Sequence, residues 1–449
     1  MISIKSKAIK IFLFGLFFEL SIFMLYCFFL KETCMSQSDF FLIMLSSIFT
    51  SGAMSNISTV GIKADNLFFL VFYGIVYLNQ FDISQYQLPK DTQDFYYLSI
   101  GPILFGFFLR LSESRKKNRI DQYNEGGRKK SNGWKYIAIA YIVIMGYLYS
   151  KTGIRFFSGG FYSGQETDYI VPGLSGISYI LSYMLLMQTP NMQRKEKILI
   201  VGMLVMTQGV FGVHRGEMMR IFIYIFISYM CSKKENLINK KNISKIIVVL
   251  LVLVIFFGVV GNYRQNTIYE AENAITTFSI TKKIKSRIDS SIINWIYAYT
   301  AINIDVLKAS ISMIPSNKNV KIEFVFLPLD RLINGNSSVE EYYSRIDFGG
   351  ISGINATTFL EPYIYDMGKL FFVELLIAGI VYSLFLIYSK KYSRGTYYFI
   401  IMLISLTVFG DYMFSPNRFY AIIASLVFER CIERLENINE KRFFDIVRA

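Results

Sequence analysis

The chain has 449 residues, 53% of them hydrophobic and 17% aromatic, with only 8 prolines and a mean hydropathy of +0.39, and its apolar residues fall in blocks about 20 long. At about 1.5 Å per residue such a block crosses a hydrocarbon core of roughly 30 Å, which excludes an ordinary soluble globule and spends the length on repeated crossings. The formal charge of +14 comes with no basic, aromatic-interleaved soluble module, so no nucleic-acid partner is expected.

In chain order the hydropathy predicts helices at 9–30, 39–62, 66–81, 95–111, 134–150, 171–189, 198–213, 217–231, 246–262, 370–388, 396–413 and 418–434. The fold class is therefore an all-α polytopic membrane protein of about twelve transmembrane helices. Residues 1–260 form an N-terminal bundle of about nine spans, 261–369 a large outer segment, and 370–449 the C-terminal spans and an inner tail. The first span has no small-residue cleavage site and reads as a retained helix rather than a signal peptide.

Orientation follows from charge. With the amino terminus inside, the inner loops collect Lys5, Lys7, Lys10, Arg115 to Arg119, Arg128 to Lys130, Lys233, Lys234, Lys240, Lys241, Lys390, Lys391 and Arg394. More than half of the 47 basic residues then face the cytoplasm, as the positive-inside rule requires. Cys27, Cys34, Cys231 and Cys431 show no CxxC spacing, and there is a single histidine. Neither a metal nor a cofactor is expected.

The outer side carries a short loop, Ser158 to Asp168, rich in glycine and aromatic residues, and then the long segment. In that segment Ile284, Ile288, Ile292, Trp295, Tyr299, Ile302, Val306 and Ala309 recur at helical spacing. Arg287, Ser290, Asn294, Ala301, Asp305 and Lys308 line the other face. This amphipathic helix either lies on the outer leaflet or packs on its own domain. Asn334 to Ser338 and Phe348 to Gly353 read as loops, and Arg287, Arg331 and Arg345 are the segment's candidate substrate-binding cations.

Three stretches place ionisable residues where chemistry needs them. In Thr207 to Phe226 the groups His214, Arg215, Glu217 and Arg220 stand between two apolar runs, where charge is costly and usually serves a site. Glu217 and Arg220 are three apart and face each other on a helix. Arg264 leaves the ninth span at the same outer level as Arg215, and two guanidiniums at one depth suit a diphosphate. Before the tenth span, Glu361, Tyr363, Tyr365 and Asp366 follow one another around Pro362, near the surface: carboxylates that can serve as a base towards a sugar hydroxyl, and tyrosines that can stack on its ring. Asp411 and Arg418 flank the last outer turn. Glu19 and Glu374 fall inside spans, as proton-relay groups or as buried partners of an arginine or tyrosine.

Gly212-Val-His-Arg-Gly216, Gly261-Asn-Tyr-Arg264 and Thr358-Phe-Leu-Glu-Pro-Tyr-Ile-Tyr-Asp-Met-Gly368, with the order of spans and the one dominant outer loop, resemble the O-antigen polymerase (Wzy) family of oligosaccharide repeat-unit polymerases. The resemblance implies a GT-C-like, metal-independent glycosyltransferase of the bacterial inner membrane with a periplasmic active site. Its substrate would be an undecaprenyl-diphosphate-linked oligosaccharide, and its partners membrane lipid, a chain-length regulator and a flippase. On that pattern Arg215 and Arg264 hold the donor diphosphate. Arg220, Arg287, Arg331, Arg345, Tyr363, Tyr365 and Arg418 help bind substrate, and His214, Glu217, Glu361 or Asp366 takes the acceptor proton. The related O-antigen ligase and a flippase for lipid-linked sugars are the rival functions. A flippase would place its charges deep within several spans.

Overall fold

A computed structural model of the chain describes residues 2–30, 37–81, 84–85, 93–114, 133–153, 173–211, 215–232, 285–286, 302–313, 320–345 and 358–448. These residues are helical almost throughout, and four of the helical stretches are long and apolar enough to cross a membrane: Ser6–Phe28, Gln37–Val60, Phe95–Glu113 and Leu360–Tyr392. The protein is a helical membrane protein. Contacts divide it into two compact units, one built from residues 1–113, 230–383 and 403–412 and the other from 114–229, 384–402 and 413–449.

The first unit opens with α1 (Ile2–Leu30), α2 (Gln37–Val60) and α3 (Ala64–Asn79), an up-and-down trio held by small residues and hydroxyls, as expected where helices meet without a hydrophobic driving force. A Cβ on Gly15 would stand 2.9 Å from the Ser51 hydroxyl, so only glycine lets α1 approach α2 here. Ser55 donates to the Ala8 carbonyl at 2.7 Å. Thr50 donates to the Glu19 carboxyl at 2.7 Å, and the Tyr77 hydroxyl donates to the Glu19 carbonyl. Glu19 is thus a half-buried partner of a threonine on the neighbouring helix.

The same unit holds α4 (Gln93–Ser114) and, later in the chain, α9 (Ile302–Met313), α10 (Leu327–Asn334), α11 (Asn336–Arg345), α12 (Leu360–Met367) and most of α13 (Phe371–Tyr392). Here α4 and α13 run parallel, because Tyr97 packs on Phe371 at one end while Ser383 donates to the Phe108 carbonyl, at 2.9 Å, further along. Gly379 allows the close approach, since a Cβ there would lie 2.8 Å from the Phe108 ring. Phe359 fills the centre against Phe68, Phe72 and Phe105.

The second unit is built on α5 (Trp134–Thr152), α6 (Leu174–Gln188), α7 (Arg194–Leu204), most of α8 (Arg215–Ser232), most of α14 (Arg394–Ser405) and the whole of α15 (Pro416–Arg448). A π-helical turn, Val205–Phe211, continues α7. Gly209 in that turn admits Met218 of α8, whose side chain would lie 2.1 Å from an added Cβ. A Cβ on Gly395 would stand 1.5 Å from the Met187 carbonyl oxygen, so any side chain there must move backbone.

Three expectations change, and one open alternative is decided. Lys285–Ser286 pair antiparallel with Ser84–Gln85 as a two-residue bridge, so the amphipathic helix does not run through 284–309; what is described of it begins at Ile302. Its described part buries Asn303, Ile304, Asp305, Val306 and Leu307 alike, which is packing inside the unit and not a helix resting on lipid. Asn334 to Ser338 is no loop: Gly335, at φ 81°, is the single break between α10 and α11. The eleventh predicted span is α-helical only to Ser405; a tighter turn, Thr407–Phe409, follows it and closes at Gly410, whose φ is 134°. Twelve residues rise only about 18 Å, and the turn beyond is buried in protein, the setting in which non-helical backbone is tolerated at membrane depth. The predicted helix 246–262 and the loop 158–168 lie outside the described residues.

Candidate functional site

In the second unit the sequence brings together charges from distant stretches. Glu217 sits in the first turn of α8, where the helix dipole favours an anion, and the spacing of three places Arg220 beside it, where the two form an ion pair. Arg418 enters from the start of α15, its guanidinium 3.5 Å from the Glu217 carboxylate. Tyr183, a fully packed residue of α6, donates to Glu217 at 3.0 Å and lies under the Arg418 guanidinium, 5.6 Å from ring centre. A cation over a tyrosine face gains cation–π attraction when solvent is scarce.

Both guanidiniums are nearly withdrawn from solvent, with side-chain exposures of 14% for Arg220 and 11% for Arg418. One carboxylate is thus shared by two guanidiniums that the chain brings from distant stretches. Arg215, the first residue of the same helix α8, adds a third cationic residue to the stretch. The preceding π turn is pinned to α5 by the Tyr141 hydroxyl, which bonds Thr207 at 2.6 Å and accepts from Gln208 at 3.1 Å. π turns inside α-helices often mark functional positions.

In the first unit the stretch around Pro362 behaves differently from the surface position expected of it. Glu361, Tyr363 and Asp366 are all buried, because α12 is a short helix enclosed by α9, the turn at 407–411 and the segment 320–345. The Phe359 amide donates to the Thr407 carbonyl at 2.7 Å, and Ser310 of α9 bonds Glu361. Asp366 accepts the amides of Glu323 and Phe324 at 3.0 and 2.8 Å and the Tyr342 hydroxyl at 3.1 Å. Glu374 accepts the next amide, that of Val325, at 3.1 Å. Two carboxylates thus cap the open N-terminal turn that leads into α10, satisfying donors that a helix cannot satisfy for itself.

Asp411 accepts from Tyr363 and, at 2.8 Å, from Tyr382. Burial, and after it the neighbouring Asp366 charge, pushes the Tyr342 hydroxyl well above the usual phenol range, so it stays a donor. Glu374 therefore pairs with backbone amides, where an arginine or tyrosine was expected.

Of the remaining predicted residues, Tyr365 is half-buried on α12 and rings with Tyr342. Arg331 donates to Asn336 at 2.7 Å across the Gly335 break, and Arg345 pairs with Glu323 at 2.9 Å. These two arginines fasten the segment to itself. His214, Arg264 and Arg287 lie outside the described residues. Tyr183, Tyr342, Tyr382 and Ser310 went unremarked in the sequence, since a hydroxyl inside an apolar run gives no periodic or motif signal until its carboxylate partner is known. Among the described residues no three His, Cys, Asp or Glu side chains gather as a metal site would require.

Compared with protein-family models, with curated proteins and with solved structures, the chain matches none.

Proposed function

We propose that this chain is an integral-membrane glycosyltransferase of the polysaccharide-polymerase kind, working on undecaprenyl-diphosphate-linked repeat units at the periplasmic face of a bacterial inner membrane. The observation that carries the reading is the convergence of Arg220 and Arg418 on Glu217 beside Tyr183. Charge held this far from water is expensive and usually serves a site, and two guanidiniums brought side by side suit an anion that arrives as substrate. A diphosphate offers several oxygens to paired guanidinium donors, each charge-assisted bond contributing about 1.5–3 kcal/mol.

In the reaction the acceptor sugar's hydroxyl oxygen attacks the anomeric carbon of the donor glycan. The carbon–oxygen bond to the lipid diphosphate breaks, and its electron pair leaves on the diphosphate. Arg220 and Arg418, with Arg215 at the start of the same helix as Arg220, stabilise that developing charge. Glu217, engaged by Tyr183 and both arginines, is a positioning residue that orients the guanidiniums. Glu361 and Asp366, engaged by Ser310, Tyr342 and backbone amides, are structural on this reading. His214, beside Arg215, is then the group that takes the hydroxyl proton. The parallel course of α4 and α13 supports the twelve-span orientation, in which the fourth and tenth crossings both run inwards.

The test is to give purified protein a synthetic undecaprenyl-diphosphate repeat unit, with and without a chelator. Oligomers that persist with chelator are expected. Failure to extend the repeat unit, with transfer onto lipid A core instead, would make the chain a ligase.

A further inference from the structure

Between Val320 and Ile333 the first unit shows water a surface that water does not suit. Phe326, Leu329, Leu332 and Ile333 follow at intervals of three, three and one, which is one face of a helix. They are exposed by 47%, 50%, 68% and 81%. Val320 and Ile322, just before the turn, are exposed as well. The other face of the segment is fixed: Phe324, Val325, Leu327 and Pro328 are buried.

The position of this face along the membrane-crossing helices is set by its anchors. The amides of residues 323 to 325 are held by Asp366 and Glu374, which belong to the first part of the candidate span Leu360–Tyr392. At the same level Tyr96, near the start of the span Phe95–Glu113, donates to the Lys369 carbonyl at 3.1 Å. Tyr97 packs on Phe371. Two spans therefore begin together among tyrosines, the pattern of a membrane–water interface.

We infer that α10 is an interfacial helix that lays Phe326, Leu329, Leu332 and Ile333 into the outer leaflet of the phospholipid bilayer, at the level where α4 and α13 enter it. The occupant is lipid, because the anchors hold the apolar face at the level where the two spans begin, and Ile100, Leu370 and Val373 of those spans are exposed apolar residues as well. Beyond Gly335 the sequence turns polar in α11, where Glu340 and Glu341 are exposed. This surface is independent of the arginine cluster and of any reaction there.

The experiment uses full-length protein with Cys27, Cys34, Cys231 and Cys431 replaced by serine, carrying Leu332→Cys, Ile333→Cys or, as control, Glu340→Cys. Each is labelled with bimane and reconstituted in phosphatidylcholine vesicles, some containing lipid with a nitroxide near its headgroup. Labels at 332 and 333 should emit at shorter wavelength, be quenched by the lipid nitroxide and escape aqueous iodide, while the label at 340 does the reverse. Iodide quenching at 333 equal to that at 340 would overturn the assignment. So would a label at 333 shielded from both quenchers that cross-links readily to a second copy, which would give the face to another protomer.

Discussion

The two units each bury a cluster of ionisable residues, and the clusters differ in what answers the carboxylates. In the first, Glu361, Asp366, Glu374 and Asp411 are met by serine and tyrosine hydroxyls and by three consecutive backbone amides. In the second, Glu217 is met by two guanidiniums and one hydroxyl. Hydroxyls and amides donate to an acceptor and bring no charge of their own, so the first cluster reads as a fastener for the segment 320–345. In the second cluster two little-exposed guanidiniums stand side by side, and paired planar donors are the groups that suit a diphosphate. The kind of donor, more than the number of ionisable residues, separates a site from a brace.

The comparison breaks most visibly at Asp366. Asp366→Ala leaves two amides and a buried phenol without their acceptor and should cost about 3–5 kcal/mol of stability. The expected result is sharply lower accumulation in the membrane and a lower melting temperature, with normal chain extension per surviving molecule. Normal accumulation with lost extension would move Asp366 from brace to site.

Next come Arg220→Ala and Arg418→Ala. Each removes interactions contributing about 1.5–3 kcal/mol, which is roughly 10- to 150-fold in transfer rate. Gel ladders of surface polysaccharide should shorten or vanish while immunoblots show the protein near its normal level. Arg418→Lys should recover little, since an ammonium cannot reproduce the planar fork. If both alanine variants extended chains normally, the paired guanidiniums would be no site.

A smaller effect separates the hydroxyls. Tyr342→Phe removes one neutral donor from a carboxylate that keeps two amides, at a cost of about 1 kcal/mol, read as a modest fall in melting temperature without change in extension. Tyr183→Phe should lower extension more than stability, because Glu217 then orients the arginines less firmly.

The helical membrane class was legible because hydropathy is summed over twenty residues and survives local noise. Arg220 beside Glu217 was legible from a spacing of three. That Arg418 joins them was only suspected, since its helix starts far along the chain and no local pattern carries tertiary pairing. The stretch around Pro362 misled in depth: a run with Glu361, Tyr363, Tyr365 and Asp366 looks like a surface, yet each buried polar group finds a partner in α9, α11, the 407–411 turn or the 323–325 backbone. The break after Ser405 was hidden inside a run of apolar residues that hydropathy alone reads as a continuous span.

The central claim is that the Arg220–Glu217–Arg418 cluster receives a prenyl diphosphate. Its most direct measurement is calorimetric binding of a short-chain prenyl diphosphate and of the matching monophosphate to purified protein in lipid nanodiscs, for the unaltered chain and for Arg220→Ala and Arg418→Ala. The account predicts a clear preference for the diphosphate that both variants largely lose. An equal preference in all three proteins would contradict it.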